Sequence, residues 1–267
     1  MTDSPRIHGE AALSAMFARA QQENRPAFLP YYPIGYPTLA DSLDAITAMA
    51  QTGVDGFEIG VPFSDPLADG PVIQAASQVA LDNGITVKGA LDAVRELRAR
   101  GVTQPMLMFG YLNPIIAYGV EQYIIDAKAA GADGFIIPDL PPEEAPRFAA
   151  CEREGMALVF FLAPTSNPER IRLASAAARG FIYVVSVTGI TGARADLPED
   201  LTAFIGRLRA ETGQPLVLGF GISKPEHVRL LSGLVDGYIV GSALVRAGAD
   251  GPDAVRNLAA SLRPVVR

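Results

Sequence analysis

Three carboxylates in "GFEIGVPFSDPLADGPVIQ", residues 56–74, have the type and spacing for acid–base chemistry. Glu58 lies between Phe57 and Ile59 in an apolar run, and Asp65 and Asp69 follow in a stretch stiffened by Pro62, Pro66 and Pro71. Side chains alternate along a strand. Phe57, Ile59 and Val61 then share one face, and Glu58 and Gly60 share the other. A carboxylate turned into a core is costly unless it is paired or solvated. Burial raises its pKa and equips it as a general acid near neutral pH. The competing reading is a structural glutamate paired with a lysine or tyrosine. Asp69 precedes "GPVIQAASQVAL", where Val72, Ile73, Ala76, Val79 and Ala80 fall on one helical face and Pro71 suits the first turn. A helix cap or turn is its simplest role, and Asp65 before Pro66 is most simply a turn former.

Two further segments suit an anion. "GFGIS" (219–223) and "VGSAL" (240–244) end apolar runs with glycines, which let backbone N–H groups approach a phosphate closely. Ser223 and Glu226 have capping-box spacing and are read as structural. The long "SVTGITGARADLPED" (186–200) has the glycines expected of a lid over substrate.

Composition removes other chemistries. The formal net charge is −7 and no Lys/Arg-rich run occurs, which argues against a nucleic-acid or anionic-membrane partner. Cys151 is the only cysteine, so neither an intrachain disulfide nor zinc spacing exists, and it is read as a helix-packing thiol. His8 and His227 are the only histidines; a His-centred triad or multi-histidine metal site does not fit. No apolar run carries a lysine, which leaves a Schiff-base aldolase without support. No secretory or membrane-spanning stretch is seen, so the expectation is a soluble cytoplasmic protein.

The elements that must position these groups recur along the chain. "AFLPYY", "GFEIGV", "PMLMFGY", "GFIIPD", "ALVFFLA", "FIYVVSV", "PLVLGFG" and "GYIVGSA" read as eight strands separated by alanine-rich helical segments. "VDGFEI", "ADGFII" and "VDGYIV" partly echo one another, hinting at a repeated βα unit. Eight strand–helix units predict one α/β domain over residues 1–267, a single (β/α)8 TIM barrel. Leu13, Met16, Phe17 and Ala20 add an amphipathic N-terminal helix. An open doubly wound sheet is the runner-up, but no G-x-G-x-x-G fingerprint occurs. In such a barrel chemistry sits at the C-terminal ends of the strands.

"FEIGVPFSDPLADGPVIQ", "GFIIPDLPPEEA", "SVTGITGAR" and "GFGIS" followed by "GSAL" resemble the tryptophan synthase alpha chain family. The resemblance runs from "FLPYY" to the last strand. It implies cleavage of indole-3-glycerol phosphate to indole and glyceraldehyde 3-phosphate. It also implies Glu58 and Asp69 as catalytic carboxylates, with Tyr183, Thr191 and Ile73 in the substrate pocket and Gly192, Gly221, Gly241 and Ser242 at the phosphate. No metal and no cofactor are implied for this chain; the expected partner is a beta chain that carries pyridoxal phosphate, in an alpha2beta2 assembly. Pro33 and Tyr36 depart from the commoner pattern, and "MLMFGYLNP" differs slightly at its end. A sugar-phosphate isomerase or epimerase, and a non-catalytic regulatory subunit, remain as alternatives.

Overall fold

The eight apolar runs become eight parallel strands in a computed structural model that describes residues 6–185, 199–219 and 221–264. They are β1 (Ala27–Pro33), β2 (Phe57–Gly60), β3 (Met106–Phe109), β4 (Gly134–Ile136), β5 (Ala157–Leu162), β6 (Ile182–Val185), β7 (Leu216–Gly219) and β8 (Gly237–Val240). Each pairs with the next in chain order, and β8 closes onto β1 with Ala27 opposite Gly237 and Pro30 opposite Val240. The expected (β/α)8 barrel is the fold, and the open sheet is set aside because no strand is left at an edge.

The echoed Asp-Gly pairs work at the barrel's N-terminal end, not in chemistry. Asp55 accepts the backbone N–H of Phe28 at 2.9 Å, Asp133 that of Met106 at 2.9 Å and Asp236 that of Leu216 at 2.7 Å. Each aspartate thus ties the start of its own strand to the start of the strand before it. Arginines neutralise all three: Arg25 and Arg19 on Asp55, Arg98 and Arg6 on Asp133, Arg209 on Asp236. Burial would raise the Asp55 pKa, but the Arg25 bonds and the Phe28 N–H outweigh it and hold the group below its usual value. The adjoining glycine has its own cause at Gly134, where an added methyl would stand 2.5 Å from the Ala157 side chain and 2.6 Å from its carbonyl oxygen.

The N-terminal helix Gly9–Gln22 buries Leu13, Met16, Phe17 and Ala20, as its spacing predicts. Phe17 meets Phe181 edge-on with centroids 6.0 Å apart, and Leu13 and Met16 lie against Gly180 and Gly56, all at strand starts. Burying each large apolar side chain there contributes about 1.5–3 kcal/mol. The helix covers the N-terminal mouth of the barrel, which leaves the other mouth for ligands. Cys151 is buried in the helix Ala149–Glu154, with its thiol pushed up to about 12 by burial, consistent with packing and not with nucleophilic use.

One local expectation fails. Ser223 does not cap a helix: the helix Pro225–Leu231 begins after Lys224, with no side-chain cap. Pro225 suits the first helical position, so the start moves one residue beyond the Ser223–Glu226 spacing. The Ser223 N–H instead points to His227 Nδ1 at 3.4 Å.

Candidate active site

A cavity of about 570 Å³ opens at the C-terminal ends of the strands, within the usual size for small-ligand sites. Glu58, Asp69, Ile73, Tyr183, Gly221, Gly241 and Ser242 all line it. These residues come from β2 and the segment after it, from β6, and from the segments after β7 and β8, so only barrel closure brings them together. Thr191 and Gly192 lie outside the described residues.

Glu58 is 1% exposed, on the inward face that strand alternation assigns to it. Its Oε1 is buried and has no hydrogen-bond partner among the described residues, so the reading as a paired structural glutamate finds no support. Burial, reinforced by the nearby Asp69 charge, pushes its carboxyl well above the usual range. Such a group holds its proton to higher pH than an exposed glutamate does.

The space beside Glu58 that Gly60 provides is filled by a residue with no obvious signal in the sequence. Tyr31 pairs with Glu58 in the β1–β2 register. A methyl on Gly60 would stand 2.5 Å from the Tyr31 hydroxyl. The same device recurs across the barrel, where a methyl on Gly219 would stand 2.2 Å from the Tyr183 hydroxyl. Both phenols are pushed well above their ordinary pKa, first by burial and then by the carboxylate charges, so both remain neutral donors. Tyr31 meets Phe109 edge-on at 5.3 Å, and Phe161 stacks on Tyr183 at 4.4 Å. These rings give the cavity aromatic walls suited to a flat apolar ring.

Asp69 is not a helix cap. The helix Pro71–Asp82 has Gly70 at its N-cap with no side-chain bond, and Pro71 opens the first turn as expected. The Asp69 carboxylate instead accepts the Tyr111 hydroxyl at 3.0 Å, while its backbone carbonyl accepts from Gln74 Nε2 at 2.9 Å. Burial raises its pKa to about 6 against the lowering effect of the Tyr111 bond. Asp65 stays with the turn, accepting from Ser64 Oγ at 2.5 Å and, through its carbonyl, from Leu67 N at 2.9 Å. Tyr111, which also accepts the Ala68 N–H at 3.0 Å, was missed by sequence reasoning. Its only signal is a hydroxylated aromatic residue just beyond a strand end, in the segment "MLMFGYLNP".

The cavity therefore holds a carboxyl whose pKa is raised by burial beside a second one raised to about 6, with aromatic walls and glycine-bearing strand ends opposite. A sequence model of the tryptophan synthase alpha chain matches residues 17–265. The chain belongs to the tryptophan synthase alpha chain family. It is 50% identical over 230 residues to the tryptophan synthase alpha chain of Roseiflexus castenholzii, covering 86% of this chain and 88% of that one. With the corresponding chain of Chloroflexus aurantiacus it is 47% identical over 236 residues, covering 87% and 88%. Among solved structures, a chain of Mycobacterium tuberculosis tryptophan synthase superposes with a TM-score of 0.88 at 37% identity, covering 96% of this chain and 97% of that one.

Membership settles the reaction class. The chain is an indole-3-glycerol-phosphate lyase, the alpha subunit of tryptophan synthase, and it works with a beta chain in an alpha2beta2 assembly. The isomerase or epimerase reading and the purely regulatory reading are set aside. The alpha chain carries no cofactor; pyridoxal phosphate belongs to the beta chain. No helix among the described residues is long and apolar enough to cross a membrane.

Proposed function

We propose that Glu58 and Asp69 divide the acid–base work of indole-3-glycerol phosphate cleavage, and that the substrate lies between them and the ends of β7 and β8. The observation that carries this reading is the buried, unpartnered Glu58 carboxyl facing the same cavity as Asp69. Breaking the carbon–carbon bond needs an electron sink. Glu58 protonates C3 of the indole ring, and the resulting positive charge at the ring nitrogen is stabilised by ionised Asp69. Glu58, now a carboxylate, takes the proton of the glyceryl hydroxyl. The bond electrons flow into the ring as the carbonyl of glyceraldehyde 3-phosphate forms, and indole leaves. Two carboxyls with environments that separate their pKa values are the general arrangement for such a division.

Tyr183 and Ile73 flank the aromatic end of the substrate, and Gly221, Gly241 and Ser242 hold the phosphate. Thr191 and Gly192 are assigned to lid and phosphate by resemblance alone. We read residues 1–267 as one domain acting in the cytoplasm. The beta chain docks on the catalytic face, where the "PFSDPLADGP" and "LNPIIAYG" segments present Leu67, 94% exposed, and Ile116, 43% exposed.

The direct test is indole release from indole-3-glycerol phosphate by the purified chain, with and without a beta chain. Gly241→Asp is the informative variant. An added Cβ there comes nearest the Tyr31 side chain at 3.4 Å, an ordinary contact, whereas Gly221 has φ +78° and any side chain would be strained. Gly241→Asp should raise KM at least tenfold, because losing a charge-assisted hydrogen bond costs about 1.5–3 kcal/mol. Unchanged inhibition by glycerol 3-phosphate in this variant would contradict the phosphate assignment.

Tyr111→Phe removes the donor that lowers the Asp69 pKa. Because the reaction needs Asp69 ionised, kcat/KM falls as pH drops through the Asp69 pKa. The acid limb near pH 6 should therefore move upward by about one unit, since one unit corresponds to about 1.4 kcal/mol, near the value of one charge-assisted bond. Rates at pH 8 should change far less. A pH–rate profile identical to the wild type would show that the Tyr111 bond does not tune Asp69.

A further inference from the structure

The cavity has an electrostatic problem. Glu58 and Asp69 are both acids, the chain carries a formal charge of −7, and the substrate adds a phosphate. Backbone donors at Gly221 and Gly241 are neutral. Ser223 also lines the cavity, but its N–H is turned to His227 Nδ1. One cationic side chain lines the cavity among the described residues, and it is Arg246.

Arg246 lies on the helix Ser242–Ala247, four residues after Ser242. Helical side chains lean toward the N-terminus, so Arg246 covers the turn that holds Ser242. It forms no ion pair among the described residues. Several surface arginines, Arg147, Arg153, Arg170 and Arg172 among them, each hold a glutamate, and of the described arginines only Arg246 lines this cavity. Arg246 is thus exposed, without an ion pair among the described residues, and at the wall of the cavity that Asp69 lines, where it can meet an anionic group of a ligand.

We propose that the Arg246 guanidinium is the charged partner of the substrate phosphate. This rests on the assignment of Gly221, Gly241 and Ser242 to that phosphate. The planar guanidinium donates two parallel hydrogen bonds to phosphate oxygens, a geometry that neither a backbone N–H nor a serine hydroxyl reproduces. Its place at the mouth also lets it draw the anion in against the field of the acidic chain, an effect that salt screens. Arg246 therefore selects phosphorylated over unphosphorylated indolyl-glycerol.

The experiment measures inhibition by glycerol 3-phosphate, and separately by indole, in the wild type, Arg246→Gln and Arg246→Lys, at low and high ionic strength. Arg246 is exposed and forms no ion pair among the described residues, so neither variant should disturb packing. Arg246→Gln should weaken glycerol 3-phosphate by about 10- to 100-fold, the range for a lost charge-assisted bond. Indole affinity should stay within about twofold, because the neutral ring makes no call on a cation. The loss should appear in KM, and the salt dependence of kcat/KM should flatten; Arg246→Lys should fall between. Equal glycerol 3-phosphate affinity in wild type and Arg246→Gln at both ionic strengths would overturn the proposal while leaving the phosphate assignment standing. A wild-type chain that binds indole but not glycerol 3-phosphate would remove the assignment and the proposal together.

Discussion

Glu58→Gln should lose about 10²- to 10⁴-fold in kcat, the usual contribution of a general acid–base group, while the chain keeps its fold. The amide has nearly the shape of the carboxyl but cannot deliver a proton to C3. Glu58 Oε1 has no hydrogen-bond partner among the described residues, so the change breaks no bond to that atom. Stability should hold or improve, and the sign follows from the raised pKa. Below the ordinary value of 4.5 the group is protonated whether folded or not, and it contributes no penalty. As pH rises from there toward the folded value, the unfolded chain ionises and the folded chain does not, so stability falls. Glu58→Gln escapes that loss, and its advantage in urea unfolding should be near zero at pH 4 and clear at pH 8. Turnover within tenfold of wild type, with indole affinity unchanged, would mean that another group supplies the proton.

Asp69→Asn should show a loss of similar size through a different limb. In the proposed mechanism its carboxylate is the anion beside the ring nitrogen, and a neutral amide cannot stabilise a cation there. The acid limb of kcat/KM near pH 6 should vanish from the remaining activity, because the titrating group is gone. The fold should survive. The asparagine carbonyl still accepts the Tyr111 hydroxyl, and the bond from Gln74 goes to the backbone. The folded pKa is raised from 3.8 to about 6, so the wild type loses stability as pH rises through that window and the variant does not. Wild-type turnover combined with a lower Tm would return Asp69 to the role of a turn residue.

The two carboxylates were legible to different degrees. Glu58 was visible because alternation over four residues fixes which way a strand side chain faces, and a carboxylate among Phe57, Ile59 and Val61 must then be inward. For Asp69 the local pattern favoured a cap, since it precedes Pro71 and a helical run. The bond that gives it another use comes from Tyr111, 42 positions along the chain. Nothing in the spacing around either residue encodes that contact. The Ser223–Glu226 spacing misled for a related reason: a proline inside the motif set the helix start more strongly than the serine did.

What the sequence alone determined is whatever depends on short-range periodicity and backbone chemistry. That includes eight strand–helix units, an inward Glu58, an amphipathic N-terminal helix, the start of a helix at Pro71, and glycines at the ends of β7 and β8. Tertiary structure decided which of these groups meet. Closure of β8 onto β1, with β1 in register with β2, sets Tyr31 beside Glu58 and gives Gly60 its reason. The same closure carries Arg246 to the rim of the cavity that Glu58 faces. It also set the electrostatics. The pKa of a carboxyl depends on how much water and which charges surround it, and those neighbours come from strands far apart in the chain.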